Sequence, residues 1–467
     1  MDQKASLPIV RDDEPSTNVT RQSSLKKIWI KGLLQACLIL LILSRLFTIW
    51  SSSSLSQLDP TLRAHCQDLL QVPHGYYSSR LDRLVSTLEA NDNATWIAEP
   101  GASATYYLGG FSKSDWFLSE RPLLLVIRPT GKVFILTPAF EQLRAQKVSK
   151  TSEIENEWIA WAENENPYEV LFKALGDENE IRLVIDGQVR NFISEGLTEI
   201  SGVSLAPRQA GKDVSLLRER KDPREVGLLK CANQMTLHAI RETRKRMYMG
   251  IRESETRKIL DQELAKTGLK GDGGLVLFGG DAALPHGSGT DKKLGREDLV
   301  LIDVGGSWGG YTADITRTFA LSISRIPDQH LEIWETVRQA QYAPFDLLKR
   351  SNSSCPPTFG DLDAAARKTV NAKYSTSGFD IFTHRLGHGI GLEGHERPYL
   401  VPGALDHPQA GHVFSLEPGV YVPMGKPAGG LEDVGVRLED CFVVIEAEDG
   451  SLGGEWLSGP VAKWGDI

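Results

Sequence analysis

The run LVLIDVGGSWGGYTADITRTFAL constrains this chain most, because it sets one carboxylate on each of two apolar, strand-like segments. Asp303 ends the first and Asp314 lies in the second, with Gly305, Gly306, Gly309 and Gly310 between them as a hairpin connection requires. Paired strands would bring the two carboxylates to one spot, where burial and mutual repulsion favour protonating one of them. A divalent cation resolves that conflict. The plainer alternative is a strand-end cap and a turn aspartate.

Other segments add to the pattern. HRLGHGIGLEGHERPYL supplies His384, His388, His395 and Glu396, and half of the ten histidines fall between His384 and His412. Glycines around His388 allow close backbone approach. A zincin helix is excluded, since Tyr399 stands where HExxH needs its second histidine and Pro398 breaks a helix. FSLEPGVYVP places Glu417 after a short strand, and VGVRLEDCFVVIE places Glu439 in an alternating strand with Arg437 two residues earlier, on the same side. A buried glutamate needs a partner, which a metal or Arg437 can supply. Four carboxylates and one imidazole suit Mn²⁺, Co²⁺, Fe²⁺ or Zn²⁺ in a paired site rather than structural zinc.

A length of 467 residues predicts two or three domains, and 41% hydrophobic with 24% charged residues is ordinary for a globular protein. The net charge of −9 leaves no basic stripe for phosphates, so nucleic acid is not an expected partner. Cys37, Cys66, Cys231, Cys355 and Cys441 share no CxxC spacing, so no zinc ribbon or disulfide framework is expected, and a single bridge stays open.

The first 27 residues are polar and read as disordered. Residues 28–50, IWIKGLLQACLILLILSRLFTIW, read as a transmembrane signal-anchor helix, with Lys31 and Arg45 near its ends. Basic residues before it predict a cytosolic N-terminus and a lumenal or extracellular catalytic domain. A cleaved signal peptide, giving a secreted protein, and a buried core helix are the alternatives. A linker follows over 51–74. Strands mixed with helices predict an α/β domain over 75–210, including a helix over Ser78–Asn91 capped by its serines and a hairpin in LLLVIRPTGKVFILTP. Helices over Asp222–Met247 and Glu253–Lys266 open a second domain over 215–467, whose Gly-rich strands carry the acidic and imidazole groups.

The set PHGSGT, IDVGGSWGGYTADITRTF, HRLGHGIGLEGHERPY, SLEPGVY and GVRLED resembles the pita-bread metallopeptidases, in the aminopeptidase P and prolidase branch that acts on Xaa-Pro bonds. The resemblance runs from about Tyr76 to the C-terminus. It implies an α/β (α+β) fold, with a creatinase-like N-terminal domain before a pita-bread catalytic domain. It also implies two divalent metal ions, with Mn²⁺ favoured. By this likeness Asp303 chelates one metal, His388 binds the other, and Asp314 and Glu439 bridge them. Glu417 ligates the second metal and receives a proton from a bridging water, whose hydroxide attacks the scissile carbonyl. His286 contacts the substrate backbone, His395 stabilises the tetrahedral intermediate or shuttles a proton, His384 lines the proline side, and Arg437 holds the carboxylates. The implied substrate is a peptide with proline second, of two residues or more, and a homodimer is implied as well. The competing functions are a catalytically silent binding module of the same fold and a two-metal hydrolase of a non-peptide amide.

Overall fold

Short apolar runs in the first half of the chain pair into one mixed sheet. In the computed structural model, which describes residues 58–466 apart from 150–152, 177–180, 202–206, 352–353, 375–379 and 429, the strands are β1 (Thr95–Ala98), β2 (Leu124–Ile127), β3 (Val133–Pro138), β4 (Asn156–Trp161), β5 (Leu183–Ile185) and β6 (Arg208–Gln209), in the order β4-β3-β2-β1-β5-β6. The expected hairpin is β2–β3, antiparallel with Ile127 opposite Val133, and its turn uses Gly131 at a positive φ. Both faces of this sheet are covered, because β1, β2 and β3 bury every residue. The helix expected over Ser78–Asn91 runs over Tyr76–Ala90 and starts from Gly75. Its serines do not cap it: Ser79 Oγ donates to the carbonyl of Tyr76, inside the first turn.

The helix Pro223–Arg246 begins with a capping box, Asp222 accepting from the Glu225 N–H and Glu225 accepting from that of Asp222. It packs on the helix Glu253–Thr267 and on β8 (Val300–Trp308). β8 lies between β7 (Lys270–Phe278) and β10 (Ile315–Phe319), with β9 (Tyr311–Thr312) paired to its end. A second antiparallel sheet has the order β12 (Glu396–Leu400), β11 (Gly387–Gly389), β13 (Val413–Leu416), β16 (Asp440–Glu446), β17 (Leu452–Trp456), and β14 (Gly419–Val422) forms a ribbon with β15 (Val434–Arg437). An isolated bridge between Thr316 and Glu439 ties β10 to the start of β16. The helices Asp328–Lys349 and Phe359–Tyr374 cover the outer side, burying Ile333, Trp334, Leu362 and Val370.

The aspartate hairpin is tighter than its glycines suggest. β8 continues through Gly305 and Gly306, and only Gly309 and Gly310 turn, both at positive φ. Gly305 serves close approach instead, since a Cβ there would sit 2.5 Å from the Ala313 carbonyl oxygen.

A disulfide, Cys66–Cys231, joins the helix Pro60–Asp68 to the helix Pro223–Arg246. It closes a loop with a sequence separation of 165. On a chain-entropy account, closing so long a loop in the unfolded state stabilises the fold by about 5 kcal/mol.

The expected single-pass membrane placement is corrected. It rested on residues 28–50, which lie outside the described residues, and among the described residues no helix is long and apolar enough to cross a membrane. The sequence argument was also thin. The uncharged stretch 32–44 would reach only about 20 Å as a helix against a core of about 30 Å, so it depended on Lys31 and Arg45 snorkelling. With it go the membrane as a partner, the cytosolic N-terminus and the lumenal catalytic domain.

Candidate metal centre

The two sheets and the β14–β15 ribbon converge on one acidic cleft. Asp303 sits on β8 opposite Thr316 of β10, and Asp314 immediately precedes β10. His388 is central to β11. Its neighbours are glycines because a Cβ at Gly387 would meet the Ser415 carbonyl oxygen at 1.9 Å, and one at Gly389 would meet that of Arg397 at 2.1 Å. Glu417 follows β13, and Glu439 lies between β15 and β16. Ligand atoms of Asp303, Asp314 and Glu439 lie within 4.8 Å of one another, as do those of His388, Glu417 and Glu439, and those of Asp314, His388 and His395. The three groups share members, so all five expected ligands, with His395, form one constellation.

The chemistry of this set fits divalent cations. Glu439 Oε2 accepts from Thr316 Oγ1 at 2.7 Å, but its Oε1 is buried with no hydrogen-bond partner. A carboxylate oxygen so placed is costly unless a cation meets it. Burial and then the charge of Asp303 push the Glu439 pKa up to about 8. Burial and the charge of Glu439 hold Asp314 and Glu417 well above the ordinary carboxylate range. His388 Nδ1 lies 3.1 Å from the carbonyl oxygen of its neighbour Gly389, so Nδ1 carries the proton. The lone pair of Nε2 then faces Asp314 Oδ2 at 3.6 Å and Glu417 Oε1 at 3.4 Å. Burial lowers the His388 pKa to about 3, so this ring is neutral, as a metal ligand must be.

Arg437 is the counter-cation. Its Nη2 donates to Asp303 Oδ2 at 2.6 Å, its Nη1 to Tyr421 Oη at 2.8 Å and to the Pro285 carbonyl oxygen at 3.2 Å, and its Nε to Thr316 Oγ1 at 3.2 Å. It reaches Glu439 through Thr316 rather than by a direct ion pair. His384 is tied at both nitrogens, Nδ1 to the Arg385 carbonyl oxygen and Nε2 to Tyr421 Oη. Burial lowers its pKa to about 4. The Nδ1 proton goes to the carbonyl, so Tyr421 donates to Nε2 while accepting from Arg437. His395 is exposed, its ring centroid 4.1 Å from that of His388, at the meeting point of clefts of about 960 Å³ and 470 Å³. His286 is exposed on the loop beside Pro285.

Thr316 and Tyr421 were not singled out from the sequence. Thr316 stands two residues after Asp314 and Tyr421 four after Glu417, spacings that keep an extended chain on one face.

Residues 227–446 match the model of metallopeptidase family M24. An uncharacterized peptidase of Schizosaccharomyces pombe is 34% identical over 394 residues, covering 81% of this chain and 82% of that one. The chain belongs to metallopeptidase family M24. A putative dipeptidase of Bacillus subtilis is 32% identical to this M24 chain, over 77% of it and 95% of the relative. Among solved structures, dipeptidase PepE from Mycobacterium ulcerans superposes with a TM-score of 0.71 at 25% identity, covering 84% of this chain and 98% of that one. A prolidase from Thermococcus sibiricus, 23% identical, shares the fold with a TM-score of 0.67 over 83% of this chain and 98% of its own. The mixed α/β fold of this M24 chain is thus that of prolidase structures, and the chain is a peptidase.

Proposed function

We propose that this peptidase is a metal-dependent exopeptidase hydrolysing Xaa-Pro bonds in dipeptides or at peptide N-termini. The observation that carries the reading is the overlap of three potential ligand groups, two of which include Glu439 with its orphaned Oε1. Asp303, Asp314, His388, Glu417 and Glu439 would hold two divalent cations, with Asp314 and Glu439 shared between them and Mn²⁺ the favoured ion. Bound there, the ions would supply Lewis acidity, polarising a carbonyl and acidifying a water.

The chain's own groups take the remaining tasks. Burial and neighbouring charge raise the proton affinity of Glu417, which suits it to take a proton from the attacking water. His395, though exposed, is partly stripped of water where the clefts meet, which lowers its pKa, so it is neutral near pH 7 and can donate a hydrogen bond to a developing oxyanion or pass a proton. His286, exposed and near enough for its charge to act on His395, would meet the substrate backbone. His384, fixed by Tyr421, would form the wall of the proline pocket, and Arg437 would hold the Asp303 carboxylate in position. In domain terms, a creatinase-like α/β part over 75–210 precedes a pita-bread catalytic part over 215–467. The test is a panel of Xaa-Pro dipeptides, Xaa-Pro-Yaa tripeptides and proline-free controls, with and without Mn²⁺. Turnover confined to the proline peptides and abolished by a chelator is expected. Silence toward all of them in metal-loaded protein would sink the reading.

A further inference from the structure

One buried carboxylate closes the neck of the loop that carries His286. Glu253 is the first residue of the helix Glu253–Thr267, where the positive end of the helix dipole favours its charge. Its Oε1 accepts from the Phe278 N–H at 2.7 Å and its Oε2 from the Lys292 N–H at 3.2 Å. Its own N–H donates to the Lys292 carbonyl oxygen at 3.1 Å. Phe278 ends β7, and Lys292 follows His286 in the chain. The two N–H groups therefore belong to the two ends of the segment 279–291. A segment of that length with its ends held together is a compact Ω-type loop. Glu253 is not spent on capping its own helix, since Glu255 serves the helix start by accepting from the Arg252 N–H.

A second tie crosses the same neck, where Thr290 Oγ1 donates to Asp281 Oδ2. Asp291 is stapled to the helix start as well. Its Oδ1 accepts from the Ser254 N–H at 2.8 Å, and its carbonyl oxygen accepts from Arg252 Nη1 at 3.1 Å.

The far end of the loop meets the carboxylate cluster. The Pro285 carbonyl oxygen accepts from Arg437, the arginine bonded to Asp303. Gly287 follows His286 at positive φ, where a Cβ would lie 2.4 Å from the Leu277 side chain. Between these two fixed points His286 is exposed, yet near enough for its charge to act on both His384 and His395. Among the described residues, no hydrogen bond or ion pair engages its ring. Its position is therefore inherited from the loop backbone.

We propose that Glu253 is a positioning residue for the peptidase reaction: by joining the Phe278 and Lys292 N–H groups it closes the loop 279–291 and sets His286 for contact with the substrate backbone. This rests on reading His286 as a substrate contact of the adjacent hydrolytic centre.

The experiment compares Glu253→Gln with the parent, in the full chain loaded with Mn²⁺. Assays are run at pH 8, where Glu253 is ionised, since burial and then the charge of Asp281 raise its pKa to about 7. Glutamine keeps the shape and loses one acceptor. KM for Ala-Pro is expected to rise about tenfold, the worth of one hydrogen-bonded contact, with kcat changed by less than about threefold. In a His286→Ala background the same substitution should change kcat/KM by less than about twofold, because a residue acting through His286 has nothing left to place. Equal losses with and without His286 overturn the proposal and make Glu253 a general structural support. An unchanged KM in Glu253→Gln overturns it too. Thr290→Val cuts the second tie at an exposed position and should raise KM by about two- to threefold. If Glu253→Gln does not fold, Thr290→Val is read in the same cycle, and an unchanged KM there overturns the proposal.

A readout without turnover separates this proposal from the hydrolytic reading. Bound Ala-Pro should slow hydrogen exchange of the amides within 284–290 in the parent and not in Glu253→Gln. If Ala-Leu is cleaved in preference to Ala-Pro, the proline assignment falls and the same measurements are made with Ala-Leu. If no peptide is turned over, the hydrolytic reading fails and the exchange difference alone judges Glu253. An equal exchange response in the two proteins overturns the proposal.

Discussion

Lys221 and Glu396 meet at 2.5 Å in the interior, with Arg218 bonded to the same carboxylate and to Glu393. A buried charge there has its countercharge. Around Glu439 the balance is different: of Asp303, Asp314, Glu417 and Glu439, only Asp303 is ion-paired to an arginine among the described residues, to Arg437. In the first cluster ion pairing outweighs burial, and Glu396 stays below the usual glutamate range. In the second, burial and repulsion win, and Glu439 rises to about 8. The contrast separates a structural ionic cluster from one whose composition is complete only with added cations. Balance of charge and satisfaction of each oxygen distinguish them; burial does not.

The largest effect expected is on the unbalanced side. Glu439→Ala should remove the ligand proposed to be shared by the two ions and cut kcat/KM by about a thousandfold or more, as loss of several kcal/mol of transition-state stabilisation implies. Metal analysis should show the loss directly, and full activity with unchanged metal content would merge the two clusters into one class. On the balanced side, Lys221→Ala should leave Glu396 short of a partner and cost about 3–5 kcal/mol in urea unfolding. Replacing both residues with leucine or methionine should recover most of that, while catalysis changes less than stability. The smallest effect is the sign of a pH slope. In chelator-treated protein, Glu439 keeps its proton in the folded state up to about pH 8, whereas the unfolded chain releases it near the ordinary value. Its contribution is therefore full below that ordinary value and is lost as pH rises through 8. Glu396, depressed in the folded state, contributes above the ordinary value and loses its contribution on acidification. Thermal melts of Glu439→Gln and Glu396→Gln against the parent should thus diverge with opposite slopes, and parallel slopes would refute the distinction.

The sequence exposes the second cluster better than the first. Asp303, Asp314, His388, Glu417 and Glu439 each interrupt an apolar or glycine-rich strand, and a carboxylate in such a setting stands out. The structure brings all five together. Lys221 and Glu396 lie 175 residues apart, the first in a charged stretch and the second in the glycine-rich histidine segment, and only the fold puts them in contact. Thr316 was hidden because threonine is a common strand residue on either face. The four glycines after Asp303 read as one connection, yet two lie inside β8, where Gly305 admits the Ala313 carbonyl and Gly306 the Leu269 side chain. The membrane placement read from segment 28–50 leaned on overall length and hydropathy, while its uncharged middle, 32–44, is short for a bilayer core. Cys66 and Cys231 carry no spacing signal, since their pairing depends on one helix docking against another.

That last pairing decides how the molecule would bear load. All six strands of the first sheet lie between Cys66 and Cys231, so the bridge is a covalent shortcut around them. Tension applied at the two ends of the chain would pass through the sulfurs, whose Cα atoms are 5.8 Å apart, and bypass the enclosed sheet. Under oxidising conditions a pulled molecule should lengthen only by what lies outside the ring. Reduction would release roughly 550 Å of further contour, at about 3.4 Å per residue over the enclosed span.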